Sequence, residues 1–62
     1  MVDRINEELV VQAAREWAAR SNKNDAIAAA NAQETIDALK AKLTGEEYDR
    51  ALERLYLEYD ES

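Results

Sequence analysis

Apolar residues recur at three- and four-residue intervals in three segments of the chain, and this spacing places them along one face of an α-helix. The first segment predicts a helix over about residues 3–20, with Asp3 as its N-cap. Its apolar stripe consists of Val2, Ile5, Leu9, Ala13 and Trp17, with Val10 and Ala14 beside it.

The second segment predicts a helix over about residues 25–43. One face carries Ile36, Leu39 and Leu43 with Ala28, Ala29 and Ala32, and the opposite face carries Ile27, Ala30, Ala38 and Ala41. Because small residues on both faces let neighbouring helices approach closely, we expect this helix to be the central one. Residues 21–25, Ser-Asn-Lys-Asn-Asp, break the pattern and offer N-cap side chains. They contain neither Gly nor Pro, so one long helix over residues 3–43 is the alternative.

The third segment has the most specific start signal. Thr44 and Glu47 match a capping box, in which each side chain bonds the other residue's backbone N–H, and Leu43 and Tyr48 stand at the positions of a hydrophobic staple. These signals predict a helix over about residues 45–59, followed by an acidic tail at 60–62. Its apolar face comprises Tyr48, Ala51, Leu52, Leu55, Tyr56 and Tyr59.

The three segments predict an all-α fold, either a small three-helix bundle or a helical hairpin with a third helix. The available core is small, because alanine accounts for 12 of the 62 residues and a chain this short buries only about 60% of its unfolded surface. Small domains usually compensate with disulfides, a metal or an oligomer interface. The sequence has no Cys and no His, which favours self-association or a folded partner protein, and we expect a homodimer.

The chain is acidic, with a net charge of −6 that is concentrated in residues 44–62. A surface that binds DNA or RNA must be basic to contact phosphates, so direct nucleic-acid binding is not expected. Neither a membrane span nor a signal-peptide pattern is visible, and we expect a cytoplasmic protein. The acidic segment favours a protein partner with a basic surface.

The residue types that carry most enzyme chemistry are missing. Without His, the hydroxyls of Ser21, Thr35 and Thr44 lack the common general base, and one Gly cannot form a glycine-rich phosphate loop. Carboxylates such as Glu46 and Glu47 at a helix start interact favourably with the helix dipole, and no segment resembles a calcium-binding loop. The sequence therefore predicts a protein that is not an enzyme and has neither a cofactor nor a metal site.

Two kinds of residue are candidates for partner binding. Val11 and Leu57 lie off the apolar stripes of their helices, and large aromatics such as Trp17 and Tyr56 are frequent in interface hot spots. The acidic candidates are Glu46, Glu47, Asp49 and Glu53. We expect arginines to neutralise part of this acidity through the pairs Glu46–Arg50, Arg50–Glu53 and Arg54–Glu58, which have helical spacing.

Three functions fit these features. The first is a non-enzymatic protein that binds another protein and modulates or inhibits it; in size and acidity the chain resembles the small regulatory or anti-host proteins that phages and plasmids carry. The second is a self-assembling structural subunit whose partner is another copy. The third is a DNA mimic, whose acidic helix occupies a DNA-binding protein.

Overall fold

A computed structural model of the chain describes residues 5–61. In this range the chain forms three α-helices, α1 (Glu7–Arg20), α2 (Asp25–Lys42) and α3 (Gly45–Glu61), and contains no strand. The helices pack together, which confirms the predicted all-α bundle. No helix within residues 5–61 is long and apolar enough to cross a bilayer.

α1 begins later than predicted, at Glu7. Asn6 is its N-cap, because this residue is extended (φ −113°) and its Oδ1 accepts a hydrogen bond from the Leu9 N–H at 2.9 Å. Asn is as good an N-cap as Asp. Glu7 and Glu8 then occupy the first turn, where carboxylates interact favourably with the helix dipole. The predicted cap, Asp3, lies outside the described residues.

α1 ends in a Schellman motif that lacks the usual glycine. The Lys23 N–H donates to the carbonyl of Ala18 at 2.7 Å, and the Asn22 N–H donates to that of Ala19 at 3.3 Å. Asn22 takes the left-handed conformation, with φ 59°. Asn tolerates this conformation better than most other residues with a side chain, so the chain can turn here without Gly.

Asn24 caps α2 directly after this turn. Its Oδ1 accepts hydrogen bonds from the backbone N–H groups of Ala26 and Ile27, at 2.9 and 3.1 Å. A helix end and a helix start therefore follow each other within residues 21–24. The alternative of a single helix over residues 3–43 is wrong.

α3 starts at Gly45, which has a left-handed conformation with φ 58°. The hydrogen bonds of the predicted capping box between Thr44 and Glu47 do not form in the described part of the chain. A capping box needs regular helical geometry directly after the cap residue, and the left-handed Gly45 interrupts it. At its other end α3 continues to Glu61, so the acidic residues 60 and 61, predicted as a tail, belong to the last helical turn.

The core is narrow and lies along α1. Its buried residues are Val10, Ala14 and Ala18 of α1, Ala28, Ala32 and Ile36 of α2, and Leu52 of α3. α1 packs against both other helices, whereas α2 and α3 contact each other only slightly. The predicted central position of α2 is therefore wrong. Its second alanine-rich face is exposed, and the small residues that admit two neighbours are those of α1.

Contacts at both ends of the bundle show that the helices alternate in direction, with α1 and α3 running together against α2. At one end, the Lys40 ammonium lies 2.7 Å from the Glu7 carboxylate. At the other end, the rings of Trp17 and Tyr59 have centroids 5.6 Å apart, and Arg20 Nη2 donates a hydrogen bond to the Tyr59 carbonyl at 3.1 Å.

Candidate functional site

The residues predicted to bind a partner are distributed over four surfaces of the bundle. Leu57 lies with Glu47 and Glu53 on the outer side of α3. Each of the other three surfaces carries one predicted residue: Val11, Trp17 or Tyr56. The two remaining acidic candidates, Glu46 and Asp49, are exposed on α3.

The outer side of α3 has a shallow groove that we call the α3 outer surface. It is lined by Leu43, Glu47, Arg50, Ala51, Glu53, Arg54 and Leu57. Leu57 is 42% exposed and points away from the core, as the helical spacing predicts, while Leu43 and Ala51 are half-buried. The α3 outer surface therefore combines an exposed apolar side chain with four charged ones.

The charges of the α3 outer surface are not neutralised in the way the sequence predicts. Within the described residues, the predicted pairs Glu46–Arg50 and Arg50–Glu53 do not form. The interhelical pairs Arg15–Asp25 (3.9 Å) and Glu7–Lys40 form elsewhere. Arg50 is exposed beside Leu57 and keeps its guanidinium in solvent, where charged groups of another molecule can reach it.

Val11 is half-buried and packs against the core, which corrects the prediction that it lies apart from the apolar stripe. It lines a groove that Arg15 of α1 and Gln33 of α2 also border. The buried face of α1 is centred on Val10 and Ala14, one position along from the predicted stripe, and this shift places Val11 at its edge.

Tyr56 is half-buried in a groove between α3 and α1. Leu9 and Ala13 line the α1 side of this groove, and Arg20 and Asp60 also border it. The side chain packs against the core. Tyr56 is thus part of the packing between α1 and α3.

Trp17 is half-buried near the turn between α1 and α2, and it packs against Tyr59. Lys23 Nζ lies 5.8 Å from the centroid of the Trp17 ring, within the range of a cation–π interaction. Trp17, Lys23 and Ile27 line one surface pocket, and the Ile27 side chain is 59% exposed, more than that of Leu57. Sequence reasoning missed Ile27 as a surface candidate, because it placed this residue on a face that a second neighbouring helix was expected to cover.

The polar groups with the most perturbed environment lie where the three helices meet. The Glu7 carboxylate accepts a hydrogen bond from Lys40, which raises the pKa of Lys40. The hydroxyl oxygen of Tyr48 is buried and has no hydrogen-bond partner within 3.5 Å in the described residues, although the Glu7 carboxylate lies close enough to interact with it. Burial is the main cause that raises the pKa of Tyr48, and Glu7 raises it further. One side chain from each helix contributes to this junction, which is therefore a contact point of all three helices. Within residues 5–61, no three acidic side chains converge as metal ligands.

The fold and these surfaces define residues 5–61 as a small three-helix bundle with two exposed large apolar side chains, Ile27 and Leu57, each set among polar ones. Comparisons with protein-family models, with curated proteins and with solved structures found no match.

Proposed function

We propose that this chain is a non-enzymatic helical protein that binds another protein through the α3 outer surface and thereby modulates that partner. The observation that carries this proposal is the exposure of Leu57 beside Arg50 and Glu53. A single exposed leucine is ordinary on a protein rich in buried ones. Within residues 5–61 the bundle buries only three large aliphatic side chains, Val10, Ile36 and Leu52.

The composition of the core supports this proposal. Four of the seven buried residues in the part of the chain that the structure describes are alanines, which bury little apolar surface and therefore contribute little hydrophobic stabilisation. A partner that binds only the folded bundle adds its own binding free energy to the stability of the fold. Covering Leu57 would supply apolar contact that the core itself lacks.

The α3 outer surface suggests the chemistry of the partner. An apolar side chain would meet Leu57, acidic groups would meet Arg50 and Arg54, and basic groups would meet Glu47 and Glu53. The exposed acids Glu46 and Asp49 continue the acidic part of α3 toward a basic surface. DNA mimicry is less well supported, because duplex DNA carries a negative charge about every 1.7 Å of its axis and the two arginines interrupt such a series.

The order of charges along α3 favours a second candidate, self-association. Arg50 and Glu61 lie at opposite ends of the segment that contains Leu57, and both are exposed. If two copies of α3 pack antiparallel about a twofold axis, each Arg50 can meet Glu61 of the other copy, and each Leu57 can cover the aliphatic part of Arg54. This arrangement would give the homodimer that the thin core favours.

Affinity capture from a native extract tests the first proposal. The wild-type chain and the Ala38→Glu control, which adds the same charge at an exposed position of α2, should retain the same protein, and Leu57→Glu should release it. If the wild type, Ala38→Glu and Leu57→Glu all retain that protein, or if none of them retains any protein, binding through the α3 outer surface is contradicted.

Light scattering tests self-association. The antiparallel pairing predicts twice the 7.0 kDa chain mass and a melting temperature that rises with protein concentration. Arg50→Glu and Glu61→Arg should each weaken the dimer, and the double exchange should restore it. If the two single variants and the double variant all have the same molar mass as the wild type, the antiparallel pairing is wrong.

A further inference from the structure

A second surface, at the turn between α1 and α2, has the features of a binding site with a different specificity. We call it the Trp17 niche, and it is lined by Trp17, Lys23, Asn24, Ile27, Ala28 and Asn31. Its floor is apolar: Ile27 is 59% exposed, and Trp17 is half-buried and packs against Tyr59. An apolar side chain of a ligand would find two large apolar surfaces side by side here.

The polar groups around the Trp17 niche supply hydrogen-bond donors, with the Asn31 side-chain oxygen as an additional acceptor. Lys23 extends over the Trp17 ring with its Nζ 5.8 Å from the centroid, and it forms no ion pair in the described residues. Asn24 already uses its Oδ1 to cap α2, so its amide NH₂ is the group left for a ligand. Asn31 is exposed, and its side chain makes no hydrogen bond within residues 5–61.

The niche also contrasts with the rest of the molecule in charge. The chain has 14 acidic residues and a net charge of −6, yet none of the six residues that line the niche is acidic. The adjacent acid in the sequence, Asp25, is paired with Arg15. Lys23 is the one charged group among the residues that line the niche, and the Asn24 amide adds a donor beside the apolar floor. This combination suits a ligand that carries both a carboxylate and an apolar side chain.

We propose that the Trp17 niche binds an acidic segment of another protein, in which an apolar side chain is flanked by Asp or Glu. The apolar side chain covers Ile27 and the exposed part of Trp17, and the carboxylates accept hydrogen bonds from Lys23 and the two asparagines. This inference is independent of the α3 outer surface. It gives the molecule two recognition sites with different charge preferences.

Selection from a random peptide display library tests the niche on the full chain. The wild-type protein should enrich peptides in which an apolar residue adjoins Asp or Glu. Lys23→Gln and Ile27→Asn should each weaken binding of the enriched peptides at least tenfold. Lys42→Gln and Ala30→Asn introduce the same residues at exposed positions of α2 outside the niche, and they should bind like the wild type.

Trp17 provides a direct readout, because it is the only tryptophan in the chain. A synthetic peptide of the enriched sequence should change Trp17 fluorescence and saturate it, and replacing the Asp and Glu residues of the peptide by Asn and Gln should weaken binding at least tenfold. This comparison needs no protein variant. Enrichment of basic peptides or of none, equal binding by Lys23→Gln, or bound peptide that leaves Trp17 emission unchanged would overturn the proposal.

Discussion

At the scale of single residues, Tyr48 shows how a side chain can stabilise and destabilise the same junction. Its ring packs against the core, but its hydroxyl oxygen is buried with no hydrogen-bond partner within 3.5 Å in the described residues, and its interaction with the nearby Glu7 carboxylate is weak. The neighbouring Glu7–Lys40 pair connects α1 to α2. The ring thus contributes hydrophobic stabilisation, whereas the desolvated hydroxyl opposes folding.

Tyr48→Phe keeps the ring and removes the unpartnered hydroxyl. We expect the free energy of unfolding to rise by about 1 kcal/mol, since an unsatisfied buried polar group costs roughly 1–3 kcal/mol. Urea unfolding followed by circular dichroism measures the change. Tyr56→Phe, at a half-buried position between α1 and α3, is the control and should change stability little. If Tyr48→Phe loses stability, the hydroxyl has a stabilising partner.

The same junction predicts that stability falls at alkaline pH. The hydrogen bond to Glu7 raises the pKa of Lys40 above its ordinary 10.5, and burial raises the pKa of Tyr48 above 10.0. The folded chain therefore holds these two protons more tightly than the unfolded chain does. Their contribution is complete below about pH 10 and is lost as the pH rises through the folded-state pKa values.

Urea midpoints measured from about pH 8 to about pH 11 should show this decline. The decline should be shallower in the double variant Lys40→Met, Tyr48→Phe, which lacks both groups. A wild-type profile that stays flat or rises over this range would contradict the assignment of the two shifts.

At the scale of elements, two residues with a left-handed backbone set the ends of the helices. Asn22 (φ 59°) ends α1 and Gly45 (φ 58°) begins α3. A Cβ at Gly45 would meet no heavy atom within 4 Å. A substitution at Gly45 therefore reports the cost of the backbone conformation without a steric clash.

Gly45→Ala should lower the free energy of unfolding by about 1 kcal/mol, because alanine disfavours the left-handed region. Gly45→Asn should lose less, because Asn enters this region more readily. Thermal melts of the two variants beside the wild type give the comparison. Equal losses for Ala and Asn would mean that the left-handed backbone does not determine the effect.

Periodicity was sufficient to locate the helices but not to decide which of them is central. The apolar face of α3 around Leu52 is unambiguous, whereas α2 has two alanine-rich faces of similar character, and nothing local selects between them. α1 is central because its small residues Ala14 and Ala18 are buried in the core and let the other helices pack closely against it. These contacts join residues that are distant in sequence. The ends of α1 are set by Asn6, whose side chain caps its start, and by Asn22, whose left-handed backbone ends it. Neighbouring Asp and Ser residues are similar enough in type that the sequence alone does not single out these two.

At the scale of the whole molecule, Leu52 is the one buried residue of α3, and half-buried side chains such as Tyr56 and Tyr59 pack around it. Leu52→Ala should cost about 2–5 kcal/mol, against a total stability of roughly 3–9 kcal/mol for a chain of this length. We expect the variant to lose most of its cooperative melting transition in circular dichroism. Leu57→Ala, at the exposed position of the same helix, should change the stability by less than about 0.5 kcal/mol. Comparable losses for both would contradict this distribution of the core.

The whole molecule also explains why the candidate site was only partly predictable. Leu57 and its charged neighbours lie on one helix, so helical spacing alone places them together. The Trp17 niche combines residues from two helices and the turn between them. Its assembly depends on the turn at Asn22 and on the exposure of Ile27, and Ile27 is exposed because α2 is not central.

The central position of α1 has a consequence for how the bundle opens. α2 and α3 scarcely touch, so α3 can separate from α1 while the α1–α2 hairpin stays intact. We expect the backbone amides of α3 to exchange their hydrogens with solvent as a group and faster than those of α1, since each cooperative unit opens with its own free energy. A molecule that binds the outer side of α3 and also contacts α1 would prevent α3 from separating. The decrease in the hydrogen-exchange rate of the α3 amides would then measure how strongly that molecule stabilises the closed bundle.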